Sequence, residues 1–263
     1  MFNRAKKSLG QNFLIDRHVL EQIVDTVEIT DKEILEIGPG SGNLTSYILK
    51  KEPKKMHVIE KDEDLSLILK EKFNDEINII NDDVLKIIED KISNQKLTVF
   101  GNLPYNISTE ILSKWIVNLK KDFWFESLVL MFQKEVADRI IAESDTSKYG
   151  RLSILSSWKL NIKKIIDIGP ESFSPRPKID SSLLLFTPKE NYFELKDAKN
   201  LEMITRVFFS QRRKMLKKPF NQVFNNAKEI AQKFNINLNL RPQNLEPEIY
   251  FKLVREYEGL LRR

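Results

Sequence analysis

The sequence predicts an α/β fold: a doubly wound, mostly parallel sheet of seven strands, followed by a small C-terminal helical domain. Three observations carry that expectation. Seven short apolar runs recur within the first 190 of 263 residues, helical patterns separate most of them, and a glycine-rich turn follows directly on the first run. Strands that alternate with helices of about ten residues need crossover connections, which favour parallel pairing with helices on both faces.

In chain order, apolar residues at helical spacing over 18–27 precede the first strand, 33–37, in which Ile34, Leu35 and Ile37 are apolar. Helical periodicity at 44–51 leads to a strand at 56–60, and a helix over 62–73 leads to a strand at 77–81. A helix at 84–90 precedes the strand 97–101, one at 109–119 precedes the strand 127–132, and one at 134–143 ends the alternation. The last strands, 162–168 and 182–186, lie close together with no convincing helix between them, which predicts an antiparallel hairpin at one edge. Pro188 and the polar residues 189–191 mark a junction, so 1–190 forms one domain and 191–263 a second. In the second, Leu201, Ile204, Val207 and Phe208 fall at helical spacing, and a further helix over 247–257 starts on Pro247, a residue suited to a first helical turn.

The chain has no cysteine, which excludes disulfides, a thiolate nucleophile and Cys-ligated metals. Its two histidines, His18 and His57, accompany no carboxylate cluster at metal-ligand spacing, so no metal site is expected. Hydrophobic residues make up 41%, enough for a buried core. No run approaches the roughly 18 apolar residues that would cross a bilayer. The basic start, residues 1–7, leads into Gly10-Gln11-Asn12 and not into a signal segment. These features predict a soluble cytoplasmic protein without a membrane partner.

The net charge of +5 is unevenly divided. Residues 196–263 hold 15 Lys and Arg against 7 Asp and Glu, a net of +8, whereas the first 195 hold 28 against 31, a net of −3. Arg4, Lys6 and Lys7 form a basic arm on that acidic body, and Arg212, Arg213, Lys214, Lys217 and Lys218 form the densest basic cluster of the tail. Such asymmetry points to nucleic acid, whose phosphates Lys and Arg contact without reading sequence; a solvated helical face is the competing reading.

The run Ile34-Leu35-Glu36-Ile37-Gly38-Pro39-Gly40-Ser41-Gly42-Asn43-Leu44-Thr45 reads as strand, glycine turn and helix start. Gly38 and Gly40 let the backbone bend tightly and approach a ligand without a Cβ in the way. Such a unit commonly binds a nucleotide-like cofactor, with a carboxylate roughly 20 residues on for the ribose hydroxyls. Glu60 lies 22 residues after Gly38. This is not the dinucleotide fingerprint: Asn43 stands where a small residue is needed, and Pro39 lacks an N–H that would meet a phosphate. A loop that need not cradle a pyrophosphate suits S-adenosylmethionine, which leaves as S-adenosylhomocysteine. Asp83, after the third strand, is placed to meet the adenine amino group, and is otherwise an ordinary helix cap.

Asn102-Leu103-Pro104-Tyr105 follows the fourth strand, at the end where ligands meet a parallel sheet. An adenine amino nitrogen is a poor nucleophile, because its lone pair is delocalised into the ring. The Asn102 side-chain oxygen and the Leu103 carbonyl can take its two protons and favour a tetrahedral nitrogen. Pro104 stiffens the turn and holds Leu103 extended. Tyr105 offers a face on which an extruded base can stack. Transfer to such an amine from an activated methyl group needs neither a covalent enzyme intermediate nor a metal, so positioning can supply much of the acceleration.

On these motifs the chain resembles the ribosomal RNA small-subunit adenine dimethyltransferase family, the dimethyladenosine transferases. The similarity includes Gly10-Gln11-Asn12-Phe13-Leu14, the glycine loop, Asn102 to Ser108, Phe132-Gln133-Lys134-Glu135, Tyr149-Gly150-Arg151, Phe173-Ser174-Pro175-Arg176-Pro177-Lys178 and Phe208-Phe209-Ser210-Gln211-Arg212-Arg213. It implies a class I methyltransferase (Rossmann-like) sheet, with Asn12, Leu14, Gly38, Glu60, Asp83 and Asn102 contacting S-adenosylmethionine. It implies two methylations on each of two adjacent adenosines near the 3′ end of small-subunit rRNA, by a monomer acting on a pre-30S-type ribosomal particle. Phe173 resembles a second aromatic beside the flipped base, and a core Phe before a Pro-rich turn is the other reading. Ser174 stands where the family usually has Thr, and Arg176 where Pro is common. Within the same chemistry, an enzyme acting on large-subunit rRNA is an alternative; so, outside it, are a non-catalytic ribosome-assembly factor and, more distantly, an NAD-dependent oxidoreductase. A cytosine-5 methyltransferase is excluded by the missing cysteine.

Overall fold

A computed structural model describes residues 11–260, so the basic arm Arg4, Lys6 and Lys7 lies outside the described residues. The chain divides into two compact units. The first holds the described residues up to Lys114, Leu119–Ala137 and Asn161–Pro188; the second holds Trp115–Asn118, Asp138–Leu160 and the residues from Lys189 on. Asp138–Leu160 therefore groups with the tail, although the sequence-based boundary places it within the first 190 residues.

The elements run β1 (Phe13–Leu14), α1 (Arg17–Val24), β2 (Glu33–Ile37), α2 (Asn43–Leu49), β3 (Lys55–Ile59), α3 (Glu63–Phe73), β4 (Asn78–Ile80), β5 (Leu97–Asn102) and α4 (Ser108–Asn118). They continue with β6 (Phe125–Gln133), α5 (Lys134–Ile140), α6 (Arg151–Lys159), β7 (Leu160–Ile168), β8 (Phe173–Ser174) and β9 (Ser181–Pro188). The tail adds α7 (Ala198–Phe209), α8 (Lys217–Val223), α9 (Ala227–Lys233) and α10 (Pro247–Leu260).

Seven strands form one sheet in the order β4-β3-β2-β5-β6-β9-β7. The pairs β2–β3, β2–β5, β3–β4 and β5–β6 are parallel, and β9 runs antiparallel to β6. Ile34, Leu35, Val58, Val99 and Phe100 are fully buried, as expected of parallel strands covered on both faces. Because β2 sits near the middle, the chain winds outward to β4 and then crosses back to β5. The loops after β2 and β5 leave in opposite directions, which opens a crevice at the carboxyl ends of these strands.

Local chemistry places the first helices. Asp16 caps α1 by accepting the N–H groups of His18 at 3.0 Å and Val19 at 3.2 Å, and Val19, Leu20, Ile23 and Val24 turn inward. Asp62 caps α3 through the N–H of Asp64 at 3.1 Å, with Glu63 and Asp64 in its first turn and Lys70 and Lys72 in its last, each complementing the helix dipole. The close-set last strands, β9 and β7, are hydrogen-bonded neighbours at one edge. A separate two-stranded ribbon, not foreseen from the sequence, pairs Phe13 with Ser174 and Leu14 with Phe173.

The helix expected over 84–90 is replaced by turns and a single 3-10 turn, Glu89–Lys91. Lys114 of α4 explains the change. Its ammonium donates to the carbonyls of Val84 at 2.8 Å and Ile87 at 2.5 Å and to the Glu89 carboxylate at 2.7 Å. The Val84 carbonyl also accepts the Ile87 N–H at 3.3 Å, a bond one residue shorter than a helical one, and the lysine caps this tight turn.

In the second unit, Phe208 of α7 meets Phe220 at 5.3 Å and Tyr250 at 5.6 Å between ring centroids. The buried Tyr149 and Tyr250 hydroxyls donate to the carbonyls of Leu245 (2.8 Å) and Pro242 (2.6 Å). The buried Glu258 carboxylate accepts the N–H groups of Lys196 and Asp197 and the Asn200 side chain, which ties the start of α7 to α10. Among the described residues, no helix is long and apolar enough to cross a membrane, and no group of three or more His, Cys, Asp or Glu side chains could hold a metal ion.

Candidate active site

A cavity of about 310 Å³ lies at the carboxyl ends of β2, β3, β4 and β5 in the first unit. Gly38, Gly40 and Gly42 turn the chain away from β2 with φ of 66°, 58° and 73°, a region that side chains with a Cβ rarely adopt. The Gly38 N–H donates to the Ile59 carbonyl at 2.9 Å, which stitches the glycine loop to the end of β3. At Gly40, a Cβ would stand 2.8 Å from the Phe13 ring, so this position is closed to larger residues on steric grounds as well.

Glu60 directly follows β3, faces that loop and is 7% exposed. One of its oxygens accepts the Gly40 N–H at 3.1 Å and the other the Asp62 N–H at 2.9 Å. Each carboxylate oxygen can accept two hydrogen bonds, so both retain capacity for a pair of hydroxyls in the cavity. Burial pushes the carboxyl above its ordinary value, and the backbone N–H groups of Asp62 and Gly40 oppose that only partly. Glu36, on β2, also lines the cavity and is 2% exposed. Burial raises its carboxyl to about 8, against a 2.6 Å hydrogen bond from Thr45 and the field of Lys72, with Glu60 adding to the rise. Lys72 itself donates to the Ser41 and Gly42 carbonyls, both at 3.1 Å, and so holds the glycine loop from outside.

The raised Glu36 value has a sign that can be tested. Between its ordinary 4.5 and about 8, the folded chain keeps a proton that the unfolded chain has released. Stability of the cofactor-free protein is therefore expected to fall as pH rises through that window. Urea unfolding at several pH values should show this slope reduced in Glu36→Gln. A slope equal to that of the wild type would show that Glu36 is already ionised.

Asp83 lines the cavity after β4. Its carboxylate pairs with Lys61 at 2.8 Å and accepts the Leu85 N–H at 3.0 Å, and these, the Lys61 hydrogen bond first, hold its pKa below the usual value. Asn102, Leu103, Pro104 and Tyr105 line the same cavity. The Asn102 side-chain NH2 donates to the Asn12 carbonyl at 2.9 Å, so its Oδ1 is the end left for a ligand. The Tyr105 hydroxyl meets the Ser181 hydroxyl at 2.6 Å, which fixes the ring, while burial raises its pKa. Asn12 and Leu14 reach the cavity from the segment that carries β1.

The sequence-derived cofactor residues Asn12, Leu14, Gly38, Gly40, Glu60, Asp83 and Asn102 thus line one cavity together with the 102–105 turn. Phe173 does not line it: at 3% exposure it packs in the core cluster that holds Leu14 and Leu183. Stacking on a base would require this ring to leave the core. Lys134 is ion-paired with Asp167, whose carboxyl is pushed up by burial but held well below its ordinary range by hydrogen bonds from Lys134, Lys164 and Ser182 together. The basic cluster belongs to the second unit. Arg213 and Lys214 are exposed on the turn after α7, Lys217 and Lys218 are exposed at the start of α8, and Arg212 donates to the Thr146 carbonyl at 3.2 Å. Glu36 and Lys61 had no role assigned from the sequence. Their position beside the last strand residues of β2 and β3 is the signal that singles them out.

The family model described as "Ribosomal RNA adenine dimethylase" matches residues 2–258. The chain is 77% identical over 260 residues to the ribosomal RNA small subunit methyltransferase A of Pelagibacter ubique, covering 99% of each chain. It is 42% identical over 253 residues to the protein of that name from Ehrlichia chaffeensis, covering 94% of this chain and 95% of that one. Among solved structures, a dimethyladenosine transferase from Plasmodium falciparum superimposes with a TM-score of 0.78 at 25% identity, over 94% of this chain and 98% of the other. The 23S rRNA methyltransferase ErmE shares the fold, with a TM-score of 0.69 at 21% identity over 94% of this chain and all of its own. A match of this extent, over a cavity built from the motifs that suggested it, places the chain in the ribosomal RNA adenine dimethylase family.

Proposed function

We propose that the protein dimethylates the N6 amino groups of two adjacent adenosines near the 3′ end of small-subunit rRNA, with S-adenosylmethionine as methyl donor, during maturation of the small ribosomal subunit. The observation that carries this reading is the Asn102 amide. Its NH2 is tied to Asn12, and its oxygen is left as an acceptor in the cavity that also holds Glu60 and the glycine loop. When bound, S-adenosylmethionine supplies an activated methyl group. Glu60 suits its ribose hydroxyls, Asp83 its adenine amino group, and Asn12, Leu14, Gly38 and Gly40 the walls around it. The chain's own contribution is to present a target amine: Asn102 Oδ1 and the Leu103 carbonyl accept hydrogen bonds from its N–H groups, the proton displaced by the methyl leaves to water, Pro104 keeps the turn rigid, and Tyr105 supports the base. Tyr105 suits that role because its ring is anchored through Ser181. Phe173 would join it only by leaving the core.

The name of the Pelagibacter relative favours small-subunit over large-subunit rRNA. The chain works as a monomer on a pre-30S-type particle in the cytoplasm, with the exposed Arg213, Lys214, Lys217 and Lys218, together with Arg212 and the arm Arg4, Lys6 and Lys7, meeting phosphates. Transfer of labelled methyl groups to unmethylated small subunits, with mapping of the product nucleosides, tests the whole reading; labelling of large-subunit rRNA instead would overturn the substrate. Neutralising Arg212, Arg213 and Lys214 together is expected to weaken RNA binding and to lower the slope of log affinity against log salt by about 2 to 3, roughly one for each phosphate left without its cation. An unchanged slope would return the cluster to a solvated surface.

A further inference from the structure

Asn43 is, with Pro39, one of the two residues that set this glycine loop apart from a dinucleotide site, and the proposed function gives it no task. Its side-chain NH2 donates to the Leu14 carbonyl at 2.8 Å. Leu14 belongs to a strap, residues 11–16, that is fastened on both sides of Asn12. Before Asn12, the Gln11 side chain donates to Asp62 at 3.0 Å. Beyond it come the Asn43 tie, the Phe13 ring packed on Gly40, and the N–H groups of Ile15 and Asp16 on the Ser172 carbonyl at 2.9 and 3.3 Å. Between these fastenings, the Asn12 carbonyl receives the Asn102 NH2 at 2.9 Å.

A carboxamide has an acceptor end and a donor end of nearly the same shape. Only the acceptor end can accept a hydrogen bond from an amine N–H; the donor end would oppose it. The Asn12 carbonyl is what decides which end of Asn102 enters the cavity, and it can do so only while the strap is held at a fixed place. We propose that Asn43 is a positioning residue that fixes the polarity of the Asn102 side chain through the strap. This rests on the reading that Asn102 serves the target amine. The competing role for Asn43 is a plain clamp, closing the strap over the cofactor without affecting Asn102.

Two measurements separate these. In the cofactor-free protein, the Asn102 side-chain amide protons are followed by nitrogen-15 NMR and identified by their loss in Asn102→Asp. Asn43→Ala is expected to raise their solvent exchange at least about tenfold, since the tie to Asn12 is then intermittent. Single-turnover methyl transfer to unmethylated small subunits at saturating cofactor is expected to fall about tenfold, within the range that an ångström of misplacement can produce. The same Asn43→Ala change made on Asn102→Asp, which has no NH2 to offer Asn12, should lower the residual rate less than about twofold, because residues acting as one unit are not additive.

An unchanged Asn102 amide, an equal loss in both backgrounds, or a change in S-adenosylmethionine affinity alone would each overturn the proposal. If Asn43→Ala does not fold, Gln11→Ala releases the strap on the other side of Asn12 and carries the same expected results and the same refutation. A wild-type protein that transfers no methyl group to small subunits would instead sink the proposed function, and the amide measurement would still decide the role of Asn43.

Discussion

An Asn102→Ala variant is expected to lose methyl transfer by about 10²- to 10³-fold, comparable to deleting one preorganised hydrogen-bonding group from other active sites. The substitution removes the Oδ1 acceptor and the tie to the Asn12 carbonyl at 2.9 Å, and leaves the Leu103 carbonyl as the remaining acceptor. RNA affinity should change less than about twofold, because phosphate contacts dominate binding and the proposed role of Asn102 is toward the target amine. Asn102→Asp tests the donor end separately: it keeps acceptor oxygens but places a carboxylate against the Asn12 carbonyl, so an intermediate rate is expected. Labelled methyl transfer at saturating RNA and cofactor reads both variants. A wild-type rate in Asn102→Ala would remove Asn102 from the chemistry.

The parts of this fold that are legible in the sequence are those in which local pattern and tertiary role coincide. Strand β2 is covered on both faces, so it reads as an apolar run ending at Ile37, and the three left-handed positions that follow within five residues call for Gly38, Gly40 and Gly42. Glu60, Asp83 and Asn102 are legible for a topological reason. Once the strands are parallel and alternate with helices, their carboxyl ends share one edge, and whatever follows them converges. The 84–90 segment is not legible, because its tight turns are capped by Lys114, which is distant in sequence. Helix α6 lacks an amphipathic stripe since Ser153, Ile154, Leu155, Ser156, Trp158 and Lys159 are all buried. The strap is hidden for a related reason: Asn12 and Asn102 are 90 residues apart, and no local periodicity reports a hydrogen bond between a carbonyl and a carboxamide. Phe173 shows the opposite failure, a ring whose sequence neighbourhood suggests the site and whose packing puts it in the core.

A Glu60→Ala variant is expected to bind S-adenosylmethionine about 10²-fold less tightly, while the rate at saturating cofactor stays within a few-fold of wild type. Two hydrogen bonds from hydroxyls to a carboxylate are at stake, each contributing on the order of 1.5 kcal/mol or more. Their loss should raise KM and spare kcat, since the ribose hydroxyls take no part in the bonds made and broken. Glu60→Gln is not expected to rescue. The two carboxylate oxygens already accept from the Gly40 and Asp62 N–H groups at 3.1 and 2.9 Å, so an amide NH2 must face one of these donors. The same geometry sets a pH dependence. Burial raises the Glu60 carboxyl above its ordinary 4.5, so it takes up a proton before an exposed glutamate would as pH falls. Cofactor affinity is therefore full on the alkaline side of that raised value and declines on the acid side. Glu36 titrates in the same cavity at about 8, so calorimetric titrations across pH belong in a Glu36→Gln background, where the remaining acid-side decline should vanish on adding Glu60→Gln. A Glu60→Ala affinity within twofold of wild type, or an acid decline that survives in the double variant, would show that the ribose is held elsewhere.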